Sequence, residues 1–304
     1  MKKQMKLQHV LLAVLATFFW GSAYPSIKIG YELFHISGND IGSKLLFAGA
    51  RFTIAGVLLL LFFKAAREVT KTKTVIFKKE DMGHLFLLGL IQTTIQYIFF
   101  YLGLANTTGA KGAIMNSFTA FFPIIIAPFF FKKDRITAQK IAGCIIGLIG
   151  IVVINFNGDS LAGFRITGEG FVLIAAMTQG IASIYSKKLA GRIHVVLIAG
   201  YQLLFGGIML LGIGAVTGGN LSFSLSGIGL LLYMALISSV AFSVWNYLLL
   251  NNSVSAVSIY NLLIPVFGTI LSGIFLKENI FTISHGAAIF CVCAGIWIVN
   301  KNKS

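Results

Sequence analysis

Residues 44–63 read KLLFAGARFTIAGVLLLLFF, an apolar run with one interior charge, Arg51. As an α-helix this run rises about 30 Å, which is the thickness of the hydrocarbon core of a bilayer. Residues 195–216, VVLIAGYQLLFGGIMLLGIGAV, repeat its pattern of small side chains. Ala48, Gly49 and Gly56 fall on Ala199, Gly200 and Gly207, and Arg51 falls on Gln202. The correspondence extends outward in both directions. Gly21, Ala23 and Lys28 match Gly180, Ala182 and Lys187; Tyr101 and Asn106 match Tyr247 and Asn252; Pro123 matches Pro265. Lys133-Asp134 then meets Lys277-Glu278, and 150–155 meets 295–300. Each match is weak alone, because glycine and alanine recur in membrane helices. Their common order is what indicates a repeat, with one unit over 1–157 and a second over 158–304.

The remaining hydrophobic runs complete the pattern. Apolar segments at 8–33, 44–63, 83–104, 108–131, 139–156, 168–187, 195–216, 227–249, 254–276 and 283–300 each come near the length that crosses a bilayer. The predicted fold is an all-α integral membrane protein of ten transmembrane helices. Five helices per unit is an odd number, so the two units enter the membrane from opposite sides and the repeat is inverted. That ground plan gives two pseudo-symmetric packings of similar energy around one central site, which favours transport over catalysis.

Composition agrees. Of the 304 residues 57% are hydrophobic and 11% charged, with a mean hydropathy of +0.89, so the apolar surface needs lipid as its solvent. The net charge of +15 does not form one basic stripe. The lysines and arginines sit in short runs between apolar spans, which argues against a nucleic-acid partner. Only Lys44, Lys111, Arg165 and Lys277 fall in the segments on one side, and Lys28 and Arg51 fall within spans. The other 18 lie on the other side, which the positive-inside rule makes cytoplasmic, together with both termini. Lys2, Lys3 and Lys6 before the apolar run Val10 to Trp20 imitate a signal peptide, but the apolar pattern continues past the small residues, so the segment reads as a retained first helix. Cys144, Cys291 and Cys293 lie inside apolar runs, and no histidine spacing suits a metal, so neither a disulfide framework nor a metal or cofactor site is expected.

At this point the residues resemble a family. Phe19-Trp20-Gly21-Ser22 followed by Lys28, the pair Arg51-Phe52, Pro123 ahead of a short acidic turn, the ladder Gly143, Gly147, Gly150, and Pro265 followed by Leu276-Lys277-Glu278 resemble the drug/metabolite transporter superfamily, specifically proteins with two tandem EamA domains. Asp134 stands where that pattern usually has glutamate. The resemblance covers nearly the whole chain. It implies two inverted five-helix EamA-type repeats and export of amino acids or related metabolites from the cytoplasm, without naming a substrate.

The nine acidic residues all fall in loops or at span ends, so no carboxylate is expected at mid-membrane to bind a proton or an organic cation. A neutral or zwitterionic solute fits that better. Polar groups do recur inside spans, where hydrocarbon penalises them unless they face a cavity or another helix. Gln92 and Gln96 share one face of the third span, beside Thr93 and Tyr97; Asn116 and Thr119 share a face of the fourth. Gln179 and Ser183 lie in the sixth span, Ser239, Ser243 and Asn246 in the eighth, and Tyr260 and Asn261 in the ninth. The expected substrate-binding set is Trp20, Tyr24, Gln92, Gln96, Asn116, Thr119, Gln179, Ser183, Asn246, Tyr260 and Asn261, and the bland alternative is helix-to-helix hydrogen bonding. Pro123 and Pro265 are candidate hinges. Lys28, four residues before Glu32, either snorkels to the interface or, like Arg51, attracts a solute carboxylate.

The expected function is that of a secondary carrier with a small-molecule substrate, membrane lipids as surroundings, no nucleotide-binding loop to power it and no enzymatic chemistry. Uptake in place of efflux, a membrane-embedded enzyme, a non-transporting subunit, and a monomeric or homodimeric state remain open at this stage.

Overall fold

A computed structural model describes residues 5–70, 78–107, 112, 115–132, 134–155, 164–276 and 283–301. Lys2, Lys3, Lys71, Lys73, Lys111, Lys133, Asp159, Lys277, Glu278 and Lys303, used above to read charge and repeat, lie outside the described residues, as does the side chain of His285. Among the described residues there is no strand. The helices are α1 (Leu7–Leu33), α2 (Ile41–Thr70), α3 (Asp81–Ala105), α4 (Phe118–Phe130), α5 (Ala138–Asn155), α6 (166–190), α7 (Val195–Val216), α8 (Leu225–Asn251), α9 (Val254–Leu276) and α10 (Ile283–Asn300). Within α3 the segment Leu90–Ile95 widens into a π turn, and α6 opens with another over Ile166–Gly170.

Among the described residues six helices can cross a membrane by length and composition: Leu7–Leu33, Ile41–Glu68, Asp81–Ala105, Val195–Val216, Leu225–Asn251 and Val254–Leu276. Phe118–Phe130, Ala138–Val153 and Gly286–Asn300 are apolar but shorter. Residues 166–190 carry Thr178, Gln179, Ser183, Ser186, Lys187 and Lys188 and are correspondingly more polar. Six basic residues read as loop residues belong to helices: Lys44, Lys64 and Arg67 to α2, Lys140 to α5, and Lys187 and Lys188 to α6. Of these helices, α2 and α6 run past the apolar window that defined the spans.

Local chemistry sets the ends. The Asp40 carboxylate accepts the Ser43 backbone N–H at 2.8 Å ahead of α2, and hydrogen bonds from Ser43 hold that carboxyl below the usual carboxylate range. Ser224 and Ser253 accept the backbone N–H of Gly227 and Ala256 at the starts of α8 and α9. After α7 the chain turns at Gly218, whose φ of +80° suits a residue without a Cβ.

The largest helix pairing is α2 against α7, followed by α5 against α10. α1 packs on α8 and α9, α6 packs on α3 and α4, α8 also meets α2, and α3 also meets α7. The α2–α7 seam explains the glycine pattern. Gly42, Gly49 and Gly56 recur every seven residues on one helix and meet Gly214, Gly207 and Gly200 on the other, running antiparallel. A Cβ on Gly49 would stand 2.6 Å from the Leu211 nitrogen, one on Gly56 2.5 Å from the Leu204 nitrogen, and one on Gly207 2.5 Å from the Thr53 nitrogen. Backbone therefore lies on backbone, the close approach that small residues permit in a bilayer. Phe129, Phe290, Trp297 and other large apolar side chains are exposed on the outside of the bundle.

Gly207→Leu should destabilise the protein by about 1–3 kcal/mol or more, because neither helix backbone can yield. Gly212→Leu, on the same helix but with no atom within 4 Å of the added Cβ, should leave the melting temperature in detergent unchanged.

Candidate functional site

The polar residues inside the bundle fall into three groups. The first joins helix to helix. In the π turn of α3, Gln92, Thr93 and Thr94 are all buried although they are consecutive. Gln92 donates through Nε2 to Gln179 Oε1 of α6 at 3.4 Å, and Thr94 donates to the Gly206 carbonyl of α7 at 3.3 Å. Ser183 donates to the Gln179 carbonyl within its own helix. Asn261 Nδ2 donates to the Thr119 carbonyl at 3.2 Å, tying α9 to α4, and Tyr260 is buried beside it. Several amide atoms in these places have no partner among the described residues: Gln92 Oε1, Asn261 Oδ1, and both ends of the fully buried Gln202.

The second group is mostly aromatic and includes Arg51. Trp20 and Tyr24 stand one turn apart on α1. Trp20 meets Phe242 and Trp245 of α8 edge-on, with centroids 5.3 and 5.0 Å away. The Tyr24 ring lies against Gly268 of α9, and its hydroxyl accepts a long hydrogen bond, 3.5 Å, from Asn116 Nδ2. Tyr97 of α3 interacts with Tyr24 and with Arg51 and packs 4.7 Å from the Phe52 ring. Tyr31 and Tyr101 lie close to each other and to Arg51. Arg51 itself is 3% exposed, donates through Nε to Ser238 Oγ of α8 at 2.8 Å, and has its guanidinium 5.0 Å over the Phe52 ring. Trp20, Tyr24, Gln96, Tyr97 and Asn116 are only half-buried. Tyr24 thus meets α9 at Gly268 and the segment ahead of α4 at Asn116.

The third group closes the end of the bundle where α1 begins. His9 bonds to Asn252 Oδ1 at 3.1 Å, linking the start of α1 to the end of α8. Lys187 Nζ donates to the Leu249 carbonyl at 2.5 Å and to the Asn252 carbonyl. Asn246 accepts from Ser186 at 2.6 Å, again joining α8 to α6. Beyond α4, the buried Asp134 accepts from Lys140 Nζ at 2.7 Å and takes the backbone N–H of Ser255 at 3.1 Å, pinning the start of α9. The Ser255 hydroxyl completes that bridge.

Of the residues expected to bind substrate, Trp20, Tyr24 and Asn116 come together, with Gln96 half-buried one position before Tyr97. Gln92, Gln179, Ser183, Thr119, Tyr260 and Asn261 sit at helix contacts, and Asn246 belongs to the closed end. The two basic residues separate cleanly, since Lys28 is exposed and Arg51 is buried. Pro123 and Pro265 both lie in described helix, Pro123 buried in α4. Tyr31, Tyr101 and Ser238 escaped the sequence reading: two tyrosines near span ends look like interface anchors, and Ser238 is one serine among many. Among the described residues no group of His, Cys, Asp and Glu is arranged to hold a metal ion.

The profile of the EamA-like transporter family matches residues 7–156 and again 166–301. The chain belongs to that family. An uncharacterized transporter of Archaeoglobus fulgidus is 25% identical over 295 residues, covering 97% of this chain and 99% of its own length. A probable terminal-alkyne amino-acid exporter of Streptantibioticus cattleyicolor is 24% identical over 277 residues, 90% of this chain and 88% of its own. A solved crystal structure superposes with a TM-score of 0.76 over 97% of this chain and 96% of the other, at 16% identity, which shows a common fold. This EamA-like chain is accordingly a multi-pass membrane protein from a family of transporters.

The Asp134–Lys140 pair gives a direct test of the closed end. Asp134→Asn leaves a buried ammonium without its counter-charge and should cost about 3–5 kcal/mol in detergent unfolding. Asp134→Leu combined with Lys140→Met should recover much of that loss.

Proposed function

We propose that the protein is a secondary carrier that exports small polar metabolites, neutral or zwitterionic and including amino acids, by alternating access about the space beside Trp20, Tyr24, Tyr97 and Asn116. The single observation that carries this reading is the contrast along the bundle. One end is laced shut by His9–Asn252, Lys187 on the last carbonyls of α8, and the Asp134–Lys140–Ser255 bridge, while the aromatic and amide side chains farther in keep accessible surface. A carrier needs such a wetted middle with one side closed at a time.

The helix pairings support ten transmembrane helices arranged as two inverted five-helix repeats. Raising every label by five maps α1·α9 onto α6·α4, α1·α8 onto α6·α3 and α2·α8 onto α7·α3, and leaves α2·α7 and α5·α10 in place. The two separate matches to the family profile fit repeats at 1–157 and 158–304. With the 18 inside charges, this reading puts both termini on the cytoplasmic face of the cell membrane. Pro123 and Pro265, at matching positions of the two halves, would serve as bending points. The amino-acid component draws support from the Streptantibioticus relative described as an amino-acid exporter.

Proteoliposomes preloaded with labelled amino acids should exchange at least one of them, and Asn116→Ala or Gln96→Ala should slow that exchange about tenfold without lowering thermal stability. If no amino acid in a broad panel exchanges, the amino-acid reading fails. Tags on the two termini should be protected on the same side of the membrane; opposite sides would end the ten-helix reading.

A further inference from the structure

We propose that Arg51 anchors a carboxylate on the transported solute. The inference deepens the carrier reading above and rests on it.

Depth comes first. Ser238, which accepts the Arg51 Nε–H, stands midway along the 27-residue α8, so the guanidinium lies about 20 Å from either end of that helix. An ionised side chain held at mid-membrane is expensive and is kept where a partner or a function repays it. The other buried charges have found partners. Asp134 pairs with Lys140 at 2.7 Å, Asp81 with Arg192 at 3.0 Å, and Glu169 accepts from the Thr107 hydroxyl at 2.5 Å and the Arg165 backbone N–H at 2.7 Å. Around Arg51 the described residues offer hydroxyls and ring faces but no carboxylate: Ser238, Phe52, Tyr31, Tyr97 and Tyr101. One hydrogen bond, at Nε, fixes the plane of the group. The two Nη positions make no hydrogen bond with a described residue, which leaves the fork that matches a carboxylate's two oxygens.

Packing does not require the charge. Gln202, the matching position in the second half, is a neutral amide, fully buried with neither end bonded. The same place in the other half is thus filled without a cation.

The arrangement also accounts for a carrier of zwitterions with no acid among its mid-membrane residues. With the carboxylate on Arg51, the ammonium of an α-amino acid would be met by the π face of Tyr97, which packs on the neighbouring Phe52 ring and holds a cation without carrying charge. Solute and site together then carry one net positive charge, which falls on the ammonium and is met by that aromatic face.

The experiment uses the full chain in detergent and three matched probes: an L-amino acid (leucine, phenylalanine or threonine), its carboxamide, and the amine lacking the carboxyl group. Thermal shift should rise with the amino acid and barely move with the other two, since anything binding the folded state raises its apparent stability. Arg51→Gln should abolish the shift, and Arg51→Lys should retain a weaker one because a point charge replaces the fork. Ser238→Ala should weaken binding of the amino acid about 10- to 100-fold. The proposal is overturned if the carboxamide and amine stabilise wild-type protein as well as the amino acid does, if no amino acid stabilises it, or if Arg51→Gln binds like wild type. The comparison of probes on wild-type protein stands even if Arg51→Gln does not fold. Exchange of amino acid and carboxamide at equal rates in proteoliposomes would remove the anchor and leave the carrier reading in place; absence of any exchange would remove the carrier reading itself.

Discussion

Everything in this bundle is arranged around backbone touching backbone between α2 and α7. Lipid tails are as apolar as leucine, so helices in a bilayer gain little by merely hiding apolar side chains from their surroundings. Association has to come from dispersion and close fit, and three glycines facing three glycines at seven-residue intervals let two long helices approach until main-chain atoms are neighbours. That seam also fixes where Arg51 and Gln202 stand, because each lies on one of its two helices, between seam glycines. The remaining helices lie against this pair or against each other, and the polar groups they carry must find partners inside the protein.

Partnering is what separates architecture from site. Where a polar side chain reaches another helix, as Gln92 does to Gln179 or Asn261 to the Thr119 carbonyl, its cost is recovered by holding two elements together. Where it reaches less closely, as with Asn116 and Tyr24, the bond is long and part of the surface stays accessible. A rigid wall and an adaptable lining are thus built from the same residue types, and geometry decides which is which.

This explains what could be read beforehand. Apolar length is a strong signal, so 195–216, 254–276 and 283–300 agree with the helices residue for residue, and 8–33 differs by one. Composition is weaker for α6, whose threonines, serines and lysines blur its edges, and Lys44 and Lys187 were assigned to loops because helices extend beyond the hydrocarbon into the headgroup region. In the candidate site, Trp20, Tyr24 and Asn116 stand out in the sequence because bulky aromatic and amide groups are conspicuous in an apolar run. Tyr31, Tyr101 and Ser238 do not, because their role depends on which helices are neighbours, and spacing along one helix carries no such information. The Asp134–Lys140–Ser255 bridge was hidden for the same reason, as its third member is 121 residues away in the chain.

Lys187 has a consequence for how such proteins acquire their orientation. Its ammonium sits on the terminal carbonyls of α8, where a helix concentrates partial negative charge and leaves acceptors without intrahelical donors. During insertion the same cation helps decide which way its segment faces. One side chain would therefore count toward orientation and also hold two helix ends together, so removing its charge would weaken both at once, and a defect seen in cells would not by itself reveal which had failed.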